Sequence, residues 1–299
     1  MRKVFGILCA LLIGCAVPGL AFAGKMQVAV GVAPMQHFAK KIGGDLIQTT
    51  VLVPAGADAH TYEPKPSQMR AIAASSVYLS TGLEFEEAWE ARLKGANPKM
   101  TFVHTDAGLN KLPMPEGHHD HHDHHAKGAA AHEHEEEMDP HIWVAPSQVR
   151  QIAVKIADAF SKADPANAKV YAANLSAYVK EIDALDAQLK GLFSGVPADK
   201  RTFLVFHPAW GYLARDYGLT QSSIEFEGKE PSPKRLAGII SQAKAKGAKV
   251  IFVQPQMSQR TASTIAQAIG ARLVTADPLA ENWETNLLNV AKSFRQALQ

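Results

Sequence analysis

Short apolar runs recur along the chain, separated by stretches in which apolar residues return every three or four positions. Residues 27–33 (QVAVGVA), 50–53, 77–80 and 100–103 read as buried strands, with helical patterns at 38–42 and 67–74 between them. The second half repeats the theme, with strands predicted at 203–206, 250–253 and 272–275 and helices at 233–246 and 260–269. Alternation of this kind favours parallel sheets flanked by helices. The expected fold class is therefore α/β, one parallel-sheet lobe from each half.

Between the halves lies the longest helical pattern. Leu175, Val179, Ile182, Leu185, Leu189 and Leu192 recur at spacings of 4, 3, 3, 4 and 3 and form one apolar stripe. Asp164 is placed to cap this helix, and Pro165 fits its first turn, where a missing N–H costs nothing. Gly191 or Gly195 is expected to end it. At 1.5 Å per residue, roughly 25 residues span about 37 Å, more than a small lobe needs internally. An ordinary long surface helix is one reading. A rigid spine packed along both lobes is the other, and it would permit only small relative movements. The expected organisation is a leader (1–23), a first lobe (24–163), a linking spine helix (164–195) and a second lobe (196–299).

The leader reads as an export signal. Met1-Arg2-Lys3 is cationic, residues 4–17 are uncharged and apolar, and Ala21-Phe22-Ala23 supplies the small residues a signal peptidase reads. Cleavage near Ala23 would give an exported, periplasmic protein. Leu12-Ile13-Gly14-Cys15 also looks like a lipobox, but residues 16–23 stay apolar where a lipoprotein tether is usually polar. Soluble secretion is thus preferred to lipid anchoring at Cys15. Nothing later in the chain reaches the ~18 consecutive apolar residues of a membrane span.

At 46% hydrophobic and 20% charged, the 299 residues can bury real cores and are not a disordered or fibrous protein. Loss of Arg2 and Lys3 with the leader would bring the 31 basic residues to 29, equal to the 29 acidic ones. No basic stripe remains to grip a phosphate backbone, so nucleic acid is not an expected partner. Both cysteines, Cys9 and Cys15, fall in the leader, which leaves no disulfide, thiolate ligand or Cys nucleophile after cleavage.

Histidine changes the picture. Eight of the 13 histidines (His118, His119, His121, His122, His124, His125, His132 and His134) crowd into an acidic, low-complexity segment, 113–139. Such a tract is expected to be a mobile surface loop that binds borderline metals weakly through neutral imidazoles. A solvated spacer is the plainer alternative. Of the five others, His60 follows a predicted strand, His141 lies just past the His-rich tract and His207 directly follows the strand at 203–206. In open α/β sheets, ligands bind beyond the carboxyl ends of strands. Asp277 occupies the same kind of place after the last strand, and whether Glu225, Glu227 or Glu230 approaches the site is left to the fold. Taken singly, each histidine is at home as a hydrogen-bonded structural residue, and their separations of 81 and 66 residues match no local finger motif. Together, three imidazoles and a carboxylate make a tetrahedral zinc set. His37 and His104 are expected to be structural, and Trp143 and Trp210 to be core.

Residues 53–64 (VPAGADAHTYEP), 139–143 (DPHIW), 207–212 (HPAWGY) and 277–279 (DPL) together resemble the ZnuA-type family, the metal-binding solute-binding proteins of zinc and manganese ABC importers. The resemblance runs over essentially the whole chain beyond the leader. It implies two α/β lobes joined by a long helix, with metal in the cleft between them. His60 and His141 would come from the first lobe, His207 and Asp277 from the second, with a water as fourth ligand if Asp277 stands back. A histidine at the third position, with a His-rich loop, resembles the zinc branch; manganese-handling relatives commonly place a carboxylate there. Two departures stand out. Some zinc-branch members carry Glu just before the first histidine where this chain has Ala59, and some have a second-lobe disulfide that this chain cannot form.

The function so implied is capture of Zn²⁺ outside the cytoplasm by a monomer and delivery to the membrane permease, with its ATPase, of an ABC importer. A periplasmic zinc buffer or metallochaperone, or a manganese-binding relative, is the alternative. A surface adhesin is disfavoured by the expected soluble leader. Imidazole donors suit zinc, and a carrier is expected to hold it in a four-coordinate, nearly water-free site. No HExxH, GxSxG or Walker-type loop supports an enzyme.

Overall fold

A computed structural model describes residues 24–114, 138–225, 232–245 and 247–299. The leader with Cys9 and Cys15, the eight histidines of the His-rich tract, and Glu227 and Glu230 lie outside the described residues. So do the side chains of 233 and 235.

Strands β1 (Met26–Val30), β2 (Ile47–Val51), β3 (Val77–Ser80) and β4 (Thr101–His104) form one wholly parallel sheet in the order β2-β1-β3-β4. Strands β5 (Thr202–Val205), β6 (Thr220–Ser223), β7 (Val250–Val253) and β8 (Arg272–Thr275) form a second, in the order β6-β5-β7-β8. The two sheets repeat one topology. In each, the chain steps from the first strand to one side and then crosses to the other, opening a crevice at the strands' carboxyl ends. The central strands are apolar because both their faces are covered: β3 and β7 are buried at every position.

Strand β6 (TQSS) was not foreseen. It is an edge strand whose ladder is made by its backbone, so its polar side chains carry no apolar signal. Strand β2 starts three residues earlier than predicted. Leu52 and Val53 nonetheless continue its hydrogen bonding, donating to Val30 and Gly31 carbonyls at 2.9 Å each.

Helices α1 (Ala33–Gly43), α2 (Pro66–Ala73), α3 (Glu84–Ala96) and α4 (Pro146–Ala163) belong with the first sheet, and α6 (Gly211–Asp216), α7 (Pro233–Ala245) and α8 (Gln259–Ile269) with the second. Between them runs α5 (Ala168–Phe193), 26 residues entered through a 3₁₀ turn at Pro165–Asn167. Its buried face is Tyr171, Tyr178, Ile182, Leu185, Leu189 and Phe193. Leu175 and Leu192 are only partly buried, because the tyrosines shift the centre of the stripe.

The expected helix ends are corrected. Asp164 does not cap the backbone; its Oδ2 accepts from Asn167 Nδ2 at 2.7 Å and Tyr171 Oη at 2.8 Å. Gly191 lies exposed inside the helix, which runs on to Phe193 and closes through Ser194 without a left-handed glycine. The apolar contacts of Leu192 and Phe193 carry the helix past the residue that would otherwise break it.

Helix α5 is tied to both halves. Asn174 Nδ2 donates to the Ile42 carbonyl at 2.8 Å, and Tyr217 Oη donates to Asp186 Oδ1 at 2.9 Å. The last helix, α9 (Trp283–Ala297), also touches both. Phe294 stacks on Phe203 of β5 at 4.3 Å, while Trp283 meets Phe38 of α1 edge-on at 5.2 Å. His37 on α1 pairs with Glu284 of α9 at 2.7 Å, and exposed His104 ends β4. Trp143 Nε1 donates to the Pro278 carbonyl at 2.7 Å and Trp283 Nε1 to the Trp143 carbonyl at 2.6 Å. These paired indoles stitch the halves beside the crevice, and one apolar core runs continuously from Val28 to Leu298 through both. A smaller core of Leu204, Phe206, Ile251 and Ile265 lies under α8.

Candidate metal centre

Three loops at strand ends carry histidines to one point. His60 lies between β2 and α2, where Asp58 Oδ1 accepts its backbone N–H at 2.9 Å and fixes the turn. His141 lies between β4 and α4 in the same kind of turn, its N–H given to Asp139 Oδ1 at 2.9 Å. His207 lies two residues past the end of β5. Asp-x-His is thus a structural unit in both first-lobe loops, in which the aspartate two residues upstream shapes the backbone.

The three side chains converge. Their ring centroids are 4.9, 5.1 and 5.2 Å apart, and one nitrogen from each lies within 4.8 Å of the others. His141 and His207 are buried, and the His60 side chain is 17% exposed.

Each ring is held from behind by a carboxylate. His60 Nδ1 meets Glu84 Oε2 at 2.9 Å, His141 Nδ1 meets Asp139 Oδ1 at 2.7 Å and His207 Nδ1 meets Glu225 Oε2 at 2.7 Å. An Nδ1–H donated to a carboxylate leaves Nε2 as a bare lone pair and fixes the tautomer suited to metal. Nε2 of His141 and Nε2 of His207 then face each other at 3.4 Å. Two lone pairs so placed repel unless a cation lies between them. Two Zn–N bonds of 2.0–2.1 Å at the tetrahedral angle would set their nitrogens about 3.3–3.4 Å apart.

The electrostatics differ between the rings. Burial pulls the His60 imidazole down, but the hydrogen bond and charge of Glu84, with Asp58 and Asp139 beyond, lift it above its ordinary value. Burial also dominates at His141. There Asp139 does not offset it, the neighbouring His60 and His207 add to the fall, and the pKa drops to about 4. Glu84 is pushed up by burial yet held below the usual carboxylate range by its bond to His60.

Asp277, expected as the fourth ligand, is not in this group. Its Oδ1 accepts from the Leu279 N–H at 2.9 Å and from Gln256 Nε2 at 3.1 Å. Sequence reading missed Glu84 altogether and passed over Asp139 as a partner; of the three glutamates it left open, Glu225 is the one seen at the site, on His207. Asp139 had a signal in the Asp-x-His spacing; Glu84 had none, since the fold alone brings it to His60. A cavity of about 550 Å³ opens at the far end of the second sheet, lined by Lys200, Thr202, Ser222 and Gln242, and contains no histidine.

The chain is similar to known proteins over most of its length. Residues 28–297 match the family model described as zinc-uptake complex component A, periplasmic. The zinc-binding protein AdcA of Streptococcus pyogenes serotype M3 is 31% identical over 86% of this chain and 51% of its own length. The chain therefore spans about half the length of the AdcA relatives it matches. A putative metal-binding protein of Treponema pallidum is 29% identical over 87% of this chain and 81% of its own. Among solved structures, ZnuA superposes with a TM-score of 0.82 at 38% identity, covering 92% of this chain and all of that one. A ZnuA deletion mutant with zinc bound gives 0.81 at 38%, covering 91% of this chain and 98% of the other.

Proposed function

Because the chain belongs to the family of periplasmic zinc-uptake component A proteins, we propose that it captures Zn²⁺ outside the cytoplasm and delivers it to the permease of an ABC importer. The observation that carries this reading is the convergence of His60, His141 and His207, each backed at Nδ1 by its own carboxylate. Three neutral imidazoles suit zinc by ligand type, and the sequestering geometry suits retention rather than reaction. The ion sits between a first lobe (24–163) and a second (196–299), which move little because the spine segment (164–195) and the shared core bind both.

The leader is proposed to end near Ala23, releasing a periplasmic monomer. The His-rich tract is proposed to bind further zinc weakly and raise its local concentration near the cleft.

Calorimetric titration of zinc into the metal-free protein tests the reading. One tight site is expected, lost when His60, His141 or His207 is changed to Ala. A variant lacking the tract should keep that site and lose only weak equivalents. Tight binding that survives all three histidine substitutions would refute the assignment.

A further inference from the structure

His60 and His141 share a small cavity, about 10 Å³, with Gln254 and Gln256, which follow β7. Both glutamine Oε1 atoms are buried, and neither has a hydrogen-bond partner among the described residues. Buried polar atoms are almost always paired, so two orphans in one cavity call for a ligand. The Gln256 amide is oriented by its Nε2, which donates to Asp277, so the atom left over is a pure acceptor. Gln254 is 5% exposed, and its backbone carbonyl is held by Gln259 Nε2 at 2.9 Å. A cavity of roughly 10–15 Å³ is the room one water needs, provided two to four polar groups meet it.

We propose that Gln254 and Gln256 hold a water molecule on the fourth position of the bound zinc. This deepens the reading above and rests on the three histidines holding the ion. The water gives its oxygen lone pair to zinc and its two protons to the two amide oxygens, so both orphans are satisfied. Asp277 then acts at one remove: it orients Gln256 and is not itself a ligand. Of the two fourth donors the sequence allows, Asp277 and a water, the water is taken, and the nearly water-free site gains one neutral, exchangeable ligand. Release then requires no zinc–carboxylate bond to break.

The protein loaded with Co²⁺ tests this by its visible absorption. Azide should displace the water and shift the bands saturably in the unmutated protein. Gln254→Met/Gln256→Met should lose zinc to a chelator about tenfold faster, at the low end of what outer partners of a metal site contribute. Spectra indifferent to azide in the unmutated protein would overturn the proposal. A metal-loaded crystal structure in which an Asp277 carboxylate oxygen bonds the ion would overturn it as well, and give the place to the carboxylate. If the double variant does not fold, the azide titration still decides. Failure of the underlying reading looks different: His141→Ala would bind Co²⁺ with an unchanged spectrum.

Discussion

The two halves of the molecule are the same sheet twice, β2-β1-β3-β4 and β6-β5-β7-β8, yet they meet the crevice unequally. The first presents two histidines, both from Asp-x-His turns. The second presents one histidine from the end of β5. It also has the counterpart turn after its last strand, Asp277-Pro278-Leu279, with the same carboxylate-to-N–H bond two residues on. Asp139-Pro140-His141 and Asp277-Pro278-Leu279 are one backbone device with a ligand in one lobe and an apolar side chain in the other. The difference teaches that the turn positions and the residue at its tip decides. The first half is built as the holder, and the second as the closing face.

The largest test of that division compares ligands across the crevice. His141→Ala and His207→Ala should each weaken zinc binding about 1,000-fold or more, beyond the 10–100-fold that losing an outer partner costs. Chelator competition measures both. If His207→Ala cost less than tenfold, the second half would be a passive wall, and the site would belong to the first half alone.

Acid separates the first half's own two histidines. Unfolded, His141 takes a proton near 6.5; in the fold it does so only at about 4. Between those values the unfolded chain binds more protons, so this histidine contributes stability above pH ~6.5 that is lost as pH falls toward 4, up to ~3 kcal/mol. His60 is shifted the other way. Its contribution is present below the unfolded value and is lost as pH rises through the folded one, so it partly offsets His141. Chemical denaturation of metal-free protein at pH 7, 5.5 and 4 should show a net loss on acidification, diminished in His141→Gln. An unchanged loss in that variant would place the acid sensitivity elsewhere.

The backing carboxylates come next. Asp139→Asn, Glu84→Gln and Glu225→Gln should each lower zinc affinity about 10–100-fold. Asp139 should lie at the top of that range, since one oxygen holds both the His141 ring and its backbone N–H. Glu84, whose side chain is 36% exposed, should lie at the bottom. The reverse order would mean that ring orientation matters more than the turn.

How much of this was legible beforehand follows the same physics. The histidines stood out because polar residues follow apolar strands at the ends where ligands bind, and the four motifs carried the family. Trp143 and Trp210 were read as core and are buried. Glu84 lies 24 residues from His60 and meets it only because α3 begins at the carboxyl end of β3. No local pattern encodes that meeting. The β6 edge strand was silent because backbone bonds need no apolar side chains. Asp277 was read as the fourth ligand from its place after the last strand; its turn bond to Leu279 and its partner Gln256 were not foreseen, because the cavity they flank is made by tertiary packing.

The smallest effects concern how the spine shares itself between the halves. On the first side, Asn174 gives a neutral hydrogen bond to the Ile42 carbonyl. Removing it as Asn174→Ala should cost about 1 kcal/mol. On the second, Tyr217 donates to Asp186, a charged acceptor, which would raise the figure to about 1.5–3 kcal/mol. That carboxylate is 30% exposed and also pairs with Lys190 at 2.6 Å, so Tyr217→Phe should fall at the lower end. Urea denaturation should rank Tyr217→Phe above Asn174→Ala. Zinc affinity should change less than about threefold in either, because the core common to both halves, not these two bonds, holds them in register. A variant that weakened zinc binding more than it weakened the fold would show the opposite: that the spine sets the spacing of the crevice, and that the closing face is free to move when its anchor is cut.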